Sequence, residues 1–146
     1  MKLAQFKSEK SGAQRLGILL GESVVDVAEL ASSASHNMPG WLAGVNAVQD
    51  VISRADEALA EISGLVAQTG GAEGASAFSL ESVTFLPPVY PGKIVAIGRN
   101  YVDHAIEGGD APPAAPLIFT KLPNSLSAHN APIVLPVIST QVDYEA

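Results

Sequence analysis

The stretch KIVAIGRNYVDHAIEGG, residues 93–109, is the part of this sequence that decides the fold. It opens with Lys93–Ile97, an apolar and β-branched run that is typical of a buried strand. The strand ends at a glycine, and Tyr101–Glu107 then has the length of two helical turns, with Asn100 as the predicted N-cap and a Gly-Gly pair as the stop signal. We therefore expect a strand and a short helix, an arrangement that presents side chains at the end of a sheet.

The chain on the C-terminal side of this stretch is rich in proline. Nine of the ten prolines lie after Phe85, in loops that are interrupted by two strand-like runs, Pro116–Lys121 and Pro132–Leu135. The terminal segment Val142–Ala146 also has strand character. The proline distribution marks a change of architecture near residue 85.

The N-terminal side predicts a small antiparallel meander and one long helix. Runs of β-favouring residues at Leu3–Lys7, Arg15–Leu20 and Ser23–Val27 are separated by turn residues. Pro39 then suits the first turn of a helix, and Gly70 begins the glycine pair that stops it. The predicted apolar stripe of this helix, with alternating spacings of four and three, is Trp41, Val45, Val48, Ile52, Ala55, Leu59, Ile62 and Val66.

This stripe has two interpretations. It could dimerise as a coiled coil, or it could lay one helix face on the meander. We favour packing on the meander, because Gly44 and Asn46 weaken the first turns and the pattern is short for a coiled coil. The sequence thus predicts an α+β chain with a small N-terminal meander-plus-helix domain at 1–70, a linker at 71–90 and an incomplete second domain at 91–146. The flexible stretch GGAEGASA, residues 70–77, lies at the start of the linker.

Composition excludes several classes of function. The 146 residues include 15 acidic and 8 basic side chains, a net charge of -7, which gives no attraction to nucleic acid or to anionic membranes. The chain has no cysteine, so disulfides, thiolate metal sites and cysteine nucleophiles are excluded. The N-terminus carries lysines where a signal peptide would be apolar, and the longest uncharged stretch contains three prolines. We expect a soluble, cytoplasmic protein.

Two residues of the short helix could carry chemistry. His104 and Glu107 are three residues apart and share a helix face, and a carboxylate beside an imidazole makes a general-base pair. A surface ion pair would have the same spacing. From these two residues alone, a surface ion pair is favoured over a general-base pair. Arg99 and Lys121 are possible anion anchors or ordinary exposed cations. Glu145 would suit a hard divalent cation only if a second acid followed at position 147.

Four blocks of this chain, in order, resemble the fumarylacetoacetate hydrolase family, particularly its bacterial members and the fumarylacetoacetate hydrolase domain-containing proteins. The blocks are KIVAIGRNYVDHAIEGG, PLIFTKLPNS, PIVLP and VDYEA, which lie between Pro91 and Ala146. Over residues 1–85 only the pattern of the family's small N-terminal domain is similar.

The resemblance implies a fold and a set of site residues. The second domain would begin a mixed β-roll catalytic domain, which binds Mg²⁺ or Mn²⁺ through three carboxylates and dimerises in the full-length protein. Glu145 matches the first metal ligand, and the other two have no counterpart in this chain. His104 and Glu107 match the water-activating pair. Tyr101 belongs to the matched Asn-Tyr-x-x-His-x-x-Glu motif, and Lys121, in a Phe-x-Lys block, resembles a position that lines the site. Together with the anion anchor Arg99, they are the expected substrate-binding residues.

The implied reaction is metal-dependent hydrolysis of a carbon–carbon bond in a β-diketo acid or acylpyruvate-type acid, as in the breakdown of aromatic compounds. The same site in relatives also supports isomerase or decarboxylase chemistry on a 2-hydroxy-dienedioate or an oxo acid. Since two of the three ligands are missing, this chain by itself is expected to be an inactive fragment.

Overall fold

The structure is a computed structural model that describes residues 1–9, 12–34, 39–70, 77–98, 101–109, 111 and 113–142. It combines α and β elements, as the sequence predicts. The chain divides into two units. One contains Met1–Val89 together with the chain from Ser127 onward, and the other is Tyr90–Leu126.

The first unit is built on a five-stranded sheet in which all neighbouring strands are antiparallel. The strands are β1 (Lys2–Ser8), β2 (Gln14–Leu20), β3 (Ser23–Asp26), β4 (Ala77–Ser79) and β5 (Val83–Leu86), in the order β4-β3-β2-β1-β5. The predicted meander is confirmed, with each strand boundary within one residue of the expected one. It forms because short β-favouring runs joined by tight turns pair locally.

Residues 71–90 do not act only as a linker. β4 and β5 fall in this range and pair with β3 and β1, the two outer strands of the meander. An outer strand has unpaired backbone N–H and C=O groups, and these two short strands satisfy them. Phe78 of β4 also packs on Phe6, with the ring centroids 5.6 Å apart. The sheet therefore includes two strands that lie far from the meander in the sequence.

Helix α1 (Val27–Ser33) begins at a charged cluster. Asp26 is its N-cap, and the Asp26 carboxylate accepts a hydrogen bond of 3.0 Å from the backbone N–H of Glu29. Arg15 of β2 donates through Nη1 to Asp26 at 2.8 Å and also to the Glu29 carboxylate. These bonds, to Glu29 first and then to Asp26, raise the pKa of Arg15 above its ordinary value. The cluster ties the start of α1 to β2.

The long helix, α2, is Val48–Thr69, so it begins later than Pro39. Leu42–Gly44 instead forms a single 3-10 turn, in keeping with the weak helix formers Gly44 and Asn46. Leu42 and Val45 are nevertheless buried, which shows that this segment packs against the core without being part of the α-helix. The helix ends at Gly70 in the left-handed conformation, as predicted.

The buried face of α2 differs from the predicted stripe. Ile52 and Leu59 are 53% and 41% exposed, whereas the fully or largely buried positions are Val51, Ala58, Ile62 and Leu65. Ala55 has φ 51° and ψ -130°, which kinks the helix, so one regular 3.6-residue period does not run through it. The buried face packs on the sheet and α1, in line with the favoured interpretation.

The second unit contains a two-stranded antiparallel pair and a short helix between its strands. The strands are β6 (Ile94–Gly98) and β7 (Leu117–Lys121), and the helix is α3 (Val102–Glu107). β6 was expected to be buried, but Val95 and Ile97 are 64% and 57% exposed, because only one strand pairs with β6 in the described part of the chain.

Two other expectations concern the C-terminal segments. Pro132–Leu135 was predicted as a strand, but no strand includes it, and its side chains are exposed. The proline at its start cannot donate a ladder hydrogen bond, and no strand lies beside it in the described chain. Of the predicted strand Val142–Ala146, only Val142 lies within the described residues. No helix in the described ranges is long and apolar enough to cross a membrane.

Candidate active site

Helix α3 carries the two residues of the expected general-base pair. Its N-cap is Tyr101, in extended conformation and without a side-chain capping bond, so the helix starts one residue later than predicted. The predicted cap, Asn100, lies outside the described residues. The helix ends as expected, because Gly108 N–H donates to the His104 carbonyl at 3.2 Å and Gly109 has a positive φ of 77°.

His104 and Glu107 lie on the solvent side of α3. Both side chains are exposed, whereas Ala105 is 1% exposed and forms the packed side of the helix. No hydrogen bond or ion pair joins the imidazole to the carboxylate among the described contacts. The structure therefore places both side chains on the exposed side of α3, and it shows no bond between the imidazole and the carboxylate.

Lys121 is the last residue of β7, at the opposite end of this strand pair from Gly98. Its side chain is exposed, and its Nζ lies 5.7 Å from the centroid of the Phe119 ring, within cation–π range. This contact follows from the two-residue spacing, since both side chains lie on the same face of the strand. Sequence reasoning noted the Phe-x-Lys block but not the ring contact.

The structure places four of the six predicted site residues in the second unit and leaves two undescribed. Tyr101, His104, Glu107 and Lys121 all belong to Tyr90–Leu126, and Tyr101 is 71% exposed. Arg99 and Glu145 lie outside the described residues.

The described ranges contain no group of three or more His, Asp or Glu side chains that could hold a metal ion. The expected ligand Glu145 is not among them. The described residues alone thus do not fit a complete divalent cation site.

Comparison with known proteins identifies the family. Residues 93–146 match the sequence model of the fumarylacetoacetate (FAA) hydrolase C-terminal domain, and this range contains every residue assigned to the site. The chain belongs to the fumarylacetoacetate hydrolase family. Members of this family are enzymes, and the relatives described next include a hydrolase and a tautomerase.

Three relatives illustrate the similarity. The chain is 32% identical to a fumarylacetoacetate hydrolase domain-containing protein 2 homolog of Dictyostelium discoideum, over 91% of this chain and 39% of that protein. It is 31% identical to the mitochondrial oxaloacetate tautomerase of Xenopus laevis, over 100% of this chain and 42% of that protein. It is 42% identical to the 2,4-didehydro-3-deoxy-L-rhamnonate hydrolase of a Sphingomonas species, over 62% of this chain and 35% of that protein. The chain thus spans about two fifths or less of the length of these relatives.

Proposed function

We propose that the full-length protein is a divalent-metal-dependent hydrolase that cleaves a carbon–carbon bond in a β-diketo acid or an acylpyruvate-type acid. The observation that carries this proposal is the family match over residues 93–146, which includes every residue assigned to the site. Since the chain is shorter than its relatives, the proposal concerns the full-length enzyme. Its catalytic domain would be a β-roll that begins with the second unit, and we expect it to act as a cytoplasmic homodimer.

In this proposal His104 removes a proton from the attacking water. Glu107, one helical turn away on the same face, orients the imidazole and stabilises its charged form. The imidazole and the carboxylate are not hydrogen-bonded to each other in this structure, and catalytic hydrogen bonds often tighten only when substrate is bound. The exposure of both side chains leaves the imidazole accessible to the incoming water.

The substrate is an anion, and the site residues match that charge. Lys121 and Arg99 bind the carboxylate of the oxo acid, and the Tyr101 hydroxyl donates to an oxygen of the substrate. Mg²⁺ or Mn²⁺, with Glu145 as one ligand, would polarise the oxo oxygens when bound.

A second candidate function is tautomerisation of an oxo acid such as oxaloacetate. The specific observation in its favour is that the similarity to the Xenopus oxaloacetate tautomerase covers the whole chain, whereas that to the Sphingomonas hydrolase covers 62% of it. In this case His104 would move a proton between the enol oxygen on one carbon and the neighbouring carbon of the double bond, so that an O–H bond is exchanged for a C–H bond and no carbon–carbon bond breaks.

The test uses purified full-length protein with Mg²⁺ or Mn²⁺ and two substrates, an acylpyruvate and oxaloacetate. Product analysis by chromatography detects cleavage, and the ultraviolet absorbance of the enol detects tautomerisation. Release of pyruvate from the acylpyruvate supports the hydrolase. A fall in the enol absorbance of oxaloacetate without cleavage supports the tautomerase. The proposal is contradicted if the protein shows neither activity with either metal, or if it keeps full activity after the metal is removed by a chelator.

His104→Ala should lower kcat by about 10²- to 10⁴-fold, because general-base catalysis contributes that much. Metal affinity, measured by calorimetric titration, should stay the same, since His104 acts on water or substrate and not on the cation. Asp103→Asn is the matched control, because it alters an exposed acid on the same helix. An equal loss of turnover and metal affinity in His104→Ala would refute the assigned role.

A further inference from the structure

Trp41 contacts helix α2 on both sides of the kink at Ala55. On the N-terminal side, Cζ of the Arg54 guanidinium lies 4.6 Å from the centroid of the Trp41 ring, within cation–π range. On the C-terminal side, Glu61 accepts a hydrogen bond of 2.7 Å from Trp41 Nε1. A single side chain that lies outside the helix therefore joins its two parts.

The two parts of α2 are held unequally. The N-terminal part, residues 48–54, buries one side chain, and the C-terminal part, residues 56–69, buries three. The N-terminal part has only about two helical turns, which is too short for a helix that is stable by itself. Its first residue, Val48, donates through its backbone N–H to Gln5, and its last residue, Arg54, lies on the indole ring. The N-terminal part thus depends strongly on the contacts at its two ends.

The indole ring is held in place independently of Arg54. Trp41 precedes the 3-10 turn Leu42–Gly44, and the Gly44 N–H donates to the Trp41 carbonyl at 3.2 Å. The Trp41 side chain packs against the hydrophobic core of the first unit. At the ring edge, the bond to Glu61 joins an N–H to a carboxylate, which is stronger than a bond between neutral groups. The ring therefore presents a fixed face to the guanidinium.

The kink gives this contact its importance. In a regular helix, hydrogen bonds from each N–H to the carbonyl four residues earlier hold successive turns together. Ala55 has φ 51° and ψ -130°, outside the helical region, so this ladder is interrupted between the two parts. Side-chain contacts that span Ala55 then hold the parts in one arrangement, and the contact through Trp41 is one of them.

We propose that Trp41 is a strap that closes the N-terminal part of α2 onto the C-terminal part, with Ala55 as the hinge. When the strap is released, residues 48–54 open together while residues 56–69 stay packed on the core. This inference concerns the first unit and is independent of the proposed function.

Hydrogen exchange of this chain, measured residue by residue by NMR, tests the strap. The reporters are the amides of Ile52, Ser53 and Arg54, which follow the first turn of α2, and the reference is the amide of the buried Leu65. In the wild type the reporters should exchange through local opening, with lower protection than Leu65. Equal protection of the reporters and Leu65 would overturn the inference, since the two parts would then open together.

Glu61→Ala removes the acceptor that holds the ring. We expect the reporters to exchange about two- to fivefold faster, which corresponds to the loss of one exposed cation–π contact, with the Leu65 amide unchanged. Glu57→Ala is the matched control, because it removes an exposed acid that belongs to the same part of the helix and is closer to the reporters in sequence. Unchanged reporters in Glu61→Ala, an equal effect on the reporters and Leu65, or an equal effect of the two substitutions would overturn the inference.

Trp41→Phe keeps an aromatic ring but has no N–H to donate to Glu61. It should also speed the exchange of the reporters, and adding Glu61→Ala to it should have no further effect. If Trp41→Phe lowers the stability of the whole unit, faster exchange at Leu65 shows this, and the comparison of Glu61→Ala with its control still decides. A further increase in the double variant would mean that Glu61 acts on the reporters by another route, and would overturn the inference.

Discussion

Replacing Gly17 with alanine should destabilise the first unit more than any other glycine-to-alanine change in the described chain. Gly17 lies in the middle of β2, between β1 and β3. A Cβ at this position would lie 2.3 Å from Val24 Cγ1 and 2.9 Å from Phe6 Cε1. Both neighbours are fully buried, so neither can swing into solvent to make room.

The magnitude follows from two opposing effects. Overpacking of a buried site costs about 1–3 kcal/mol, and the 2.3 Å contact justifies the upper value of about 3 kcal/mol. Alanine recovers about 0.5–1 kcal/mol of backbone entropy relative to glycine in a strand interior. The net loss is about 2 kcal/mol, which corresponds to a roughly 30-fold change in the ratio of folded to unfolded chain.

Urea unfolding followed by the fluorescence of Trp41, the only tryptophan in the chain, measures this loss. Trp41 lies in the same unit, and its Nε1 donates to Glu61 at 2.7 Å, so its emission reports loss of native packing. We expect the midpoint to fall by about 0.7–2 M. Gly64→Ala, where no atom lies within 4 Å, is the matched control and should be stabilising by about 0.5–1 kcal/mol. Equal midpoints for Gly17→Ala and the wild type would refute the packing of Phe6 and Val24 over Gly17.

Three further predictions concern the same unit. Gln5→Leu should lower the free energy of unfolding by about 1–3 kcal/mol, because the buried Gln5 Oε1 accepts from the Val48 backbone N–H at 3.1 Å and its removal leaves that donor unsatisfied. Hydrogen exchange of the Val48 amide should become faster. Arg15→Met should lower the free energy of unfolding by about 2 kcal/mol, since it leaves the buried Asp26 carboxylate without its cation, and urea unfolding should give the same loss from neutral to moderately alkaline pH. Ala55→Gly should stabilise the protein by about 1 kcal/mol in thermal unfolding, because φ of 51° is strained for alanine.

The constancy of the Arg15 effect on the alkaline side follows from the direction of its pKa shift. A raised pKa in the folded state adds stability that is fully present below the pKa of arginine in the unfolded chain and is lost only as pH rises through the folded value. A loss that shrinks between neutral and moderately alkaline pH would contradict the assignment of this guanidinium as the partner of Asp26 and Glu29.

Matched controls separate the other two predictions from general effects of substitution. Gln14→Leu removes an exposed hydrogen bond of 3.4 Å to the Asn46 carbonyl and should change stability by less than about 0.5 kcal/mol. Ala60→Gly, at an exposed and regular position of α2, should destabilise by about 1 kcal/mol. If Ala55→Gly and Ala60→Gly destabilise equally, α2 is not kinked at Ala55.

Local sequence patterns predicted the elements whose structure depends on neighbouring residues. The meander β1–β3 and the position of α3 follow from short β-favouring runs, tight turns and glycine stop signals. The shared face of His104 and Glu107 on α3 also followed from spacing, because residues three apart on a helix lie on one face. These relations need no knowledge of the rest of the chain.

Long-range pairing was not predictable from such patterns. The strands β4 and β5 are short, and residues 77–86 become strands only because β3 and β1 offer unpaired edges more than 50 residues away in sequence. The predicted buried face of α2 was wrong for a similar reason. The kink at Ala55 interrupts the helical period on which the predicted stripe was based. Periodicity predicts a face only while the backbone stays regular.

By itself the sequence determined the family, the general-base candidates and the antiparallel meander. The family depends on ordered blocks of residues within 93–146, and the other two depend on the identity and spacing of residues that are near each other in the chain. Only the tertiary structure decided that the Phe119 ring lies beside Lys121 and against Gly98, that Gln5 binds the first turn of α2, and that His104 and Glu107 are not bonded to each other. These are distances between side chains on packed elements, and a distance across a fold is set by packing and not by position along the chain.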